Sequence, residues 1–562
     1  TSSINGVVYG TNNETLPGAT VIAVHNPTGS KFATTTDIKG FFRMANMNVG
    51  GPYTITVSFV GFNDNVTSNI YLSLGQAFKL TIKMAEKSTA LTGVEVTARK
   101  NDIFDGNRTG AETYIGANEI KAMPSISRDI SDFTRLTPQA SNYGGGVSVA
   151  GTNNRYNSIF IDGAVNNDVF GLTSSGTNGG QTGVSPISMD AIEQFQVSVA
   201  PYDIKQSGFT GAGINAVTKS GTNEFKGTGY YFFRNENFAG TSPDTLRTKY
   251  DPFTNKSYGI SVGGPIIKDK LFFFFNAEQQ RNETPNPYNF STYEGNMKNK
   301  RDSIDLLVNK IKSYGYDPGT FENSINKTYS DKFLVRLDYN ISKNHKLTIR
   351  HSYTKGEAIY PYQSQGKTQI VFYNNWVNFV SVTNSTALEL KSNFGNRFAN
   401  NLILGYTKVD DDRNPNGSNF PYVSIKDGSG YIVFGSERYS SANALKQDIF
   451  TVTDNFEIYK GKHTFTLGTH NEFYKMYNLY IRDNFGNYQY NSVLDFLQNK
   501  NATYSRSYSL VDNVTGDGTA AAADFKAMQL GFYAQDEFEA NNKLKITAGI
   551  RVDIPVFQDD PI

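Results

Sequence analysis

The chain of 562 residues contains no cysteine, which excludes a disulfide framework and any site that depends on a thiolate. It has no stretch of roughly 18 or more apolar residues, so the sequence predicts no membrane-spanning helix. Lys and Arg number 53 against 52 Asp and Glu, without a basic run, which argues against a nucleic-acid partner. The first ten residues lack the basic and apolar regions of a secretory signal, and we expect any such signal to have been removed.

Aromatic residues and glycine are abundant instead, with 40 Phe, 34 Tyr and 51 Gly but a single Trp. From residue 225 onward, apolar and polar residues alternate over segments of about ten residues. In the segment 345–354, for example, Leu347 and Ile349 lie on one face and Lys346 and Arg350 on the other. Such an alternation is typical of a transmembrane β-strand, with apolar side chains toward lipid and polar ones toward the lumen.

The alternation predicts about eleven such strands. They are 225–236, 257–264, 270–281, 331–341, 345–355, 384–394, 397–410, 446–458, 462–475, 527–538 and 543–554. The connections after even-numbered strands are a few residues long, whereas those after odd-numbered strands are long. Outer-membrane barrels sort their turns and loops to opposite ends in this way, whereas a soluble sandwich does not.

Four consecutive phenylalanines, Phe272 to Phe275, follow the charged turn at 268–270. A barrel strand accepts such a run, because alternate rings face lipid and the others face inward. Eleven is an odd number of strands, and an unclosed sheet edge leaves backbone groups without partners in lipid. We therefore expect the chain to be a fragment of a longer protein.

The first ninety residues contain short β-rich runs separated by turn clusters, which predicts a β-sandwich of about seven strands at 1–88. The pattern G-x-V-Y, L-P-G-A-x-V, T-T-D-x-x-G-x-F over residues 6–62 resembles carboxypeptidase regulatory-like domains. These domains precede many outer-membrane receptors of Bacteroidetes. Two interpretations stay open, a module that binds a partner and a spacer without a site.

A glycine-rich region at 101–223 follows, and no Gly-Lys-Ser/Thr motif in it indicates a phosphate site. Three of its segments, 161–163, 192–195 and 213–219, resemble in order the plug of TonB-dependent transporters. The residues of this plug motif are Ile161, Asp162, Gly163, Glu193, Gly213 and Asn215.

Between the sandwich and the plug, at 89–100, a linker contains a short extended run. Its position resembles that of the Ton box, the segment of these transporters that adds a strand to the periplasmic protein TonB. The residues concerned are Leu91, Thr92, Gly93, Val94, Glu95 and Val96. An ordinary linker strand is the alternative.

The resemblance implies an all-β-dominated chain with a sandwich, an α+β plug and, at 224–562, the first ~11 strands of a 22-stranded antiparallel transmembrane barrel. Two segments resemble the Oar-like branch of this family. They are GGPIIKDKLFFFFNAEQQ at 263–280 and GFYAQDEF at 531–538.

Membership of that branch implies uptake of a large or scarce ligand, a peptide or protein, through the outer membrane. TonB with its inner-membrane energy-coupling complex, outer-membrane lipid and a surface lipoprotein are the implied partners, and no cofactor is expected. The sandwich and plug would face the periplasm and the long loops the outside. A SusC-like glycan importer and a surface adhesin without transport are the alternatives.

The sequence does not point to an enzyme, because the five histidines are dispersed and no His-Glu-x-x-His or nucleophile elbow occurs. Asp410, Asp411 and Asp412 are placed at the start of a long outer loop, where they form either a calcium site or a solvated charge cluster. Loop aromatics are either ligand-stacking groups or loop-packing groups. They are Tyr360, Tyr362, Tyr373 and Trp376.

Overall fold

The computed structural model describes residues 2–87, 95–97, 111–123, 125, 128–134, 136–141, 147–363, 365–511, 518–541 and 544–558. Strands dominate these residues and form four units, taken below in chain order. Within the described ranges, no helix has the length and apolarity that a membrane crossing requires.

An N-terminal sandwich is built from seven strands and joined by an eighth. They are β1 (Ser2–Tyr9), β2 (Thr20–His25), β3 (Ser30–Thr35), β4 (Phe41–Met47), β5 (Gly50–Ser58), β6 (Asn65–Leu72), β7 (Ala77–Lys83) and β8 (Glu95–Thr97). The sheets have the orders β4-β1-β7 and β3-β2-β5-β6-β8. Their inner faces enclose a core in which Val21, Phe42 and Ile55 are buried, as alternating strands predict.

The plug is a small mixed sheet with two short helices. Its elements are β9 (Ala111–Gly116), α1 (Ala117–Ala122), α2 (Ser131–Thr134), β10 (Ala140–Ser141), β11 (Ser148–Val149), β12 (Ser158–Ile161), β13 (Ala164–Val165), β14 (Ile192–Val199) and β15 (Ala212–Thr218). The sheet order is β13-β12-β15-β14-β9, with β12 parallel to β15. Strand β15 leads directly into the wall.

The wall is one antiparallel sheet of eleven strands, which confirms the number predicted from alternation. They are β16 (Lys226–Asn235), β17 (Thr254–Ile267), β18 (Leu271–Asn286), β19 (Ser324–Asn340), β20 (His345–Tyr360), β22 (Val377–Phe394), β23 (Phe398–Pro415), β26 (Asn443–Lys460), β27 (His463–Tyr480), β30 (Ala523–Asn541) and β31 (Leu544–Phe557). Most extend several residues further than predicted at the end that carries the long loops. The sheet is not closed, since β16 and β31 form its two edges.

The phenylalanine run alternates across this wall as predicted. Phe272 and Phe274 are buried on the inner face, and Phe274 packs into the core of the plug. Phe273 and Phe275 lie on the opposite face because successive side chains of a strand alternate. The outer face also exposes large apolar residues such as Ile260 and Val335, which suits contact with lipid.

The long loops fold into a unit of their own at one end of the wall, which the sequence did not predict. Its elements are α4 (Arg301–Lys312), β21 (Gln369–Val371), β24 (Tyr422–Asp427), β25 (Gly430–Phe434), β28 (Asn487–Tyr490), α5 (Val493–Leu497) and β29 (Ala502–Ser505). The short helix α3 (Glu236–Ala239) follows β16 and lies outside this core. Strands from three different loops form the sheet β21-β25-β24-β28-β29, and α4 packs its Leu307 and Ile311 into the same core. We call this the loop end and the opposite end the turn end.

Candidate functional site

The plug contacts the wall through Asp162, which occupies the tight turn between β12 and β13. Asp162 and Gly163 both have positive φ, 48° and 81°, as a two-residue hairpin of the Asp-Gly type requires. A Cβ at Gly163 would lie 2.8 Å from the Ile403 Cδ1 atom of the wall, so glycine also permits the close approach. The turn thereby presents the Asp162 carboxylate to the wall.

Two arginines of the wall meet this carboxylate. Arg336 Nη1 lies 3.4 Å from Asp162 Oδ1, and Arg350 Nε lies 3.3 Å from Asp162 Oδ2. The second contact is an ion pair without hydrogen-bond alignment, whereas Arg350 Nη2 donates to the Ile161 carbonyl at 3.3 Å. Arg350 is 0% exposed, so its charge depends on these partners.

Strand β15 fixes the carboxylate from inside the plug. Thr218 donates to Asp162 twice, from its backbone N–H at 2.9 Å and from its hydroxyl at 2.7 Å. Arg336 Nη1 in turn donates to the Thr218 carbonyl at 2.9 Å. Asp162, Thr218 and the two arginines therefore form one network, which we call the Asp162 junction.

A second junction lies around Glu278 on β18, and its side chain is fully buried. Lys332 Nζ, from the neighbouring wall strand, lies 3.0 Å from Glu278 Oε1. From the plug, Ser188 Oγ donates to Glu278 Oε2 at 3.0 Å and Arg128 Nη2 approaches to 3.9 Å. Tyr230 of the wall also donates to this carboxylate. Plug and wall thus share buried charges at two separate places.

A chamber of about 480 Å³ lies between the plug, the wall and the N-terminal sandwich. Glu193 lines it as the extra residue at a register shift between β14 and β15. Burial raises the pKa of Glu193 above its ordinary value, and the charges of Lys219, Lys121 and Arg336 oppose that shift. Asp162 and both arginines of the first junction line the same chamber.

The other residues of the predicted plug motif lie in the central strand β15. Gly213 pairs with Ser158 and Asn215 with Phe160 in the parallel ladder to β12. A Cβ at Gly213 would lie 2.8 Å from the ring of Phe209, so a larger residue there requires that ring to move. The structure brings Asp162, Gly163, Glu193 and Asn215 together around the chamber.

The predicted TonB-binding segment is only partly described. Leu91, Thr92, Gly93 and Val94 lie outside the described residues. Glu95 and Val96 belong to β8, which pairs in parallel with β6 at the edge of the sandwich, Val96 opposite Thr67.

The three aspartates 410–412 do not open a loop, because β23 continues through them to Pro415. Asp411 is buried, whereas Lys408 Nζ lies 4.0 Å from Asp410 and Asn414 donates to Asp412 at 2.9 Å. A strand sends alternate side chains to opposite faces, so the three carboxylates do not converge. In the described part of the chain, no group of three or more His, Cys, Asp or Glu residues is placed to hold a metal ion.

The loop aromatics pack mainly within the loop end. Trp376 is 0% exposed, with the ring of Tyr373 at 5.0 Å between centroids. Tyr362 remains exposed beside Tyr439 at 5.1 Å. Of the two interpretations of these residues, loop packing describes Trp376.

Sequence reasoning missed the wall partners of the plug. Arg350 was placed on the polar face of its strand, and Arg336, Lys332 and Glu278 sit on inward positions of predicted strands. Charged residues at inward positions of a barrel strand were the available signal, but their partners in the plug are 90 or more residues away in the chain. Chemically, the arrangement holds the plug against the inner face of the wall by ion pairs and hydrogen bonds.

Comparison with known families agrees with this architecture. A family described as outer membrane beta barrel domain matches residues 217–320 and 307–560. A second family, the carboxypeptidase regulatory-like domain, matches residues 3–85. The first match covers more than half of the chain, and it places the protein in the outer membrane.

Individual relatives are transporters and receptors. The TonB-dependent transporter Oar of Myxococcus xanthus is 26% identical over 329 residues, which are 55% of this chain and 29% of that protein. The outer membrane transporter YddB of Escherichia coli shares the fold with a TM-score of 0.54 and 14% identity, over 79% of this chain and 56% of its own. A mutant of the ferric enterobactin receptor PfeA of Pseudomonas aeruginosa has a TM-score of 0.51 and 14% identity, over 80% and 57%. The chain thus spans less than a third of Oar and little more than half of either receptor.

Proposed function

The chain belongs to the outer membrane β-barrel domain family, and we propose that it is the plug-bearing part of a TonB-dependent transporter. Sequence similarity to Oar and the fold shared with solved outer-membrane receptors support this. The observation that carries the proposal is the plug itself, which fills the inner side of the wall and is held there by the two charged junctions.

The energetic reason is that such a plug is stable at rest yet separable. Buried ion pairs resist the loss of one partner by about 3–5 kcal/mol, but they contribute little net stability when both partners are rehydrated together. A force that moves the plug can therefore separate the two sides of the Asp162 junction and rehydrate both of them together. We propose that TonB supplies that force through the segment 91–98.

The ligand class we propose is a peptide or protein. The Oar-like resemblance supports it. A SusC-like glycan importer remains the alternative within the transporter class. We further propose that additional strands close the sheet, because the backbone groups of β16 and β31 require partners in lipid.

The adhesin alternative differs in one respect, since it needs no energy coupling. A plug with buried charges at the wall suits a gated passage better than a static surface protein.

Binding of the purified C-terminal domain of TonB to the full-length protein tests the proposal. Replacing residues 91–98 by a Gly-Ser segment of equal length keeps the linker and removes the side chains that set the register. We expect this variant to lose binding, whereas a variant with the same replacement at the exposed residues 243–250 keeps it. Equal binding by both variants would place the TonB-binding segment outside residues 91–98, and absence of binding to the unmodified protein would favour the adhesin.

A further inference from the structure

The N-terminal sandwich sits on the turn end of the wall and covers the chamber beneath the plug. We infer that it is a removable cap, bound to the wall through its β3 and β4 side, which closes the chamber in the resting protein. A role of this cap in transport rests on the proposed function. In such a transporter the turn end faces the periplasm.

We call the contact surface between the sandwich and the wall the seat. Asn46, at the end of β4, lies at its centre. It is 8% exposed, and its side-chain amide lies 3.1 Å from the Asn400 carbonyl and 3.3 Å from the Ser392 carbonyl. Asn393 returns a hydrogen bond from its own amide to the Ala45 carbonyl at 3.3 Å. Asn46 has a φ of 56°, a conformation that asparagine and glycine tolerate best.

Arg43 holds the same edge of the sandwich against β26 and β27. Its guanidinium lies 4.8 Å from the centre of the Tyr459 ring and donates to the Thr464 hydroxyl. At the other side of the seat, Asn340 of the wall donates to Ser30 Oγ at 3.0 Å.

The sandwich also contacts the plug, which makes it the roof of the chamber. The Asn223 backbone N–H, between plug and wall, donates to the Pro27 carbonyl at 2.7 Å. The Leu74 N–H donates to the side-chain oxygen of Gln194 in the plug at 3.1 Å. Pro27 and Leu74 line the chamber together with residues 48–51 of the sandwich.

The contacts at the seat allow the sandwich to separate from the wall. The sandwich has a complete apolar core of its own, and its contacts with the wall include hydrogen bonds, a weak ion pair of 3.8 Å between Lys79 and Glu539, and cation–π contacts. Lys346 of the wall illustrates the cost of docking. Its Nζ atom is buried, has no hydrogen-bond partner among the described residues, and faces the ring of Phe32 at 3.5 Å. An ammonium group regains water when the cap leaves, which offsets part of the docking energy.

A thiol introduced into the chamber tests the cap directly, since the chain has no other cysteine. Ala387 lines the chamber on the wall side and differs from cysteine by one atom. We would measure the rate at which a charged thiol reagent labels Ala387→Cys in the full-length protein in detergent. The Arg43→Ala, Asn46→Gly double variant weakens the seat, and Gly preserves the backbone conformation at residue 46.

We expect slow labelling in the parent and labelling faster by about tenfold or more in the weakened variant, because two polar anchors of the docked state are lost. The matched control, Asn13→Gly with Lys39→Ala, changes the same kinds of residue at exposed turns of the sandwich and should leave the rate unchanged. Equally fast labelling in the parent and the weakened variant would overturn the cap.

A disulfide provides an independent measurement of docking. The pair Ser30→Cys with Asn340→Cys spans the seat, and the pair Asn26→Cys with Thr54→Cys lies within the sandwich, where the two side chains are 3.1 Å apart. Both pairs should form a disulfide on mild oxidation. A disulfide in the pair within the sandwich, but none in the pair that spans the seat, would contradict docking. Neither thiol assay involves TonB, so a failure of TonB to bind the unmodified protein would reject the proposed function and leave the cap to be decided by these assays.

Discussion

The N-terminal sandwich and the plug both rest against the same wall, but they are held in different ways. The core of the sandwich consists of its own residues, from Ile4 to Met84. The core of the plug includes Phe274 and Leu334 of the wall, and its charged residues find their partners there. The sandwich is therefore a folded unit that docks, whereas the plug completes its structure only inside the wall.

This contrast matters for movement. A unit with its own core can leave its seat without exposing apolar surface from its interior. The plug exposes apolar surface and unpaired charges when it shifts, so its displacement requires work. Two parts of one chain thereby differ in the energy that their release demands.

The largest expected effect comes from the Asp162 junction. Asp162→Ala leaves Arg350 buried without its counter-charge, which should destabilise the seating of the plug by about 4 kcal/mol. Hydrogen exchange of β12 and β15 in the full-length protein would measure it, with the exposed Asp302→Ala as the control. Exchange at the same rate as in the control would mean that the Asp162 junction does not stabilise the seating of the plug.

The phenylalanine run offers a matched pair for the apolar part of the comparison. Phe274→Ala opens a cavity in the shared core and should cost about 3 kcal/mol. Phe273→Ala, one residue away on the outer face, should change exchange of the plug strands little. In both variants exchange in the sandwich should stay as in the parent, and faster exchange there would contradict its independence.

The sandwich should respond to acid through His25. Burial, with the Lys346 charge as the smaller cause, lowers the pKa of His25 to about 3 from 6.5. The folded sandwich thus disfavours the proton that the unfolded chain binds, so this stabilisation is complete above pH 6.5 and is lost as the pH falls toward 3. Between pH 7.5 and 5.5 the free energy of unfolding should fall by about 1.4 kcal/mol.

Exchange rates of β2 and β5 at the two pH values would measure this loss. His25→Gln lacks the titrating group and should remove that part of the pH dependence. An unchanged slope in the variant would assign the acid response to another group.

The smallest effect is expected from the seat itself. Asn46→Gly keeps the backbone conformation and removes the side-chain hydrogen bonds to the wall, which should cost docking about 1 kcal/mol. The disulfide yield of the pair across the seat would fall, while thermal unfolding of the wall would not change. A lower unfolding temperature of the wall would mean that the sandwich supports the barrel.

Sequence patterns predicted much of the fold because a transmembrane strand follows a strict local rule. Alternation in segments such as 345–354 located all eleven wall strands, and the parity of the loops assigned their two ends. The Asp162-Gly163 dipeptide, selected for its resemblance to the plug motif, forms a tight turn in which both residues have positive φ. These features depend on neighbours in the chain.

The candidate site was harder to predict. Asp162 and Gly163 were selected from the plug motif, but Arg336 and Arg350 were not, since nothing in their local sequence distinguishes them from other inward polar residues. The ends of the wall strands beside the long loops and the sheet at the loop end were also missed, since they depend on contacts between segments far apart in the chain. Strand β21, for example, pairs with β25 from a different loop.

The sequence by itself determined the central segments of the wall strands, which of their faces is apolar, and where the short turns lie, because each depends on side-chain alternation over a few residues. Only the tertiary structure decided which charges pair across the lumen, which loops share a core, and that the sandwich covers the chamber. Those outcomes depend on residues far apart in the chain, such as Asn46 and Asn400, whose complementarity exists only once the wall has curved around the plug.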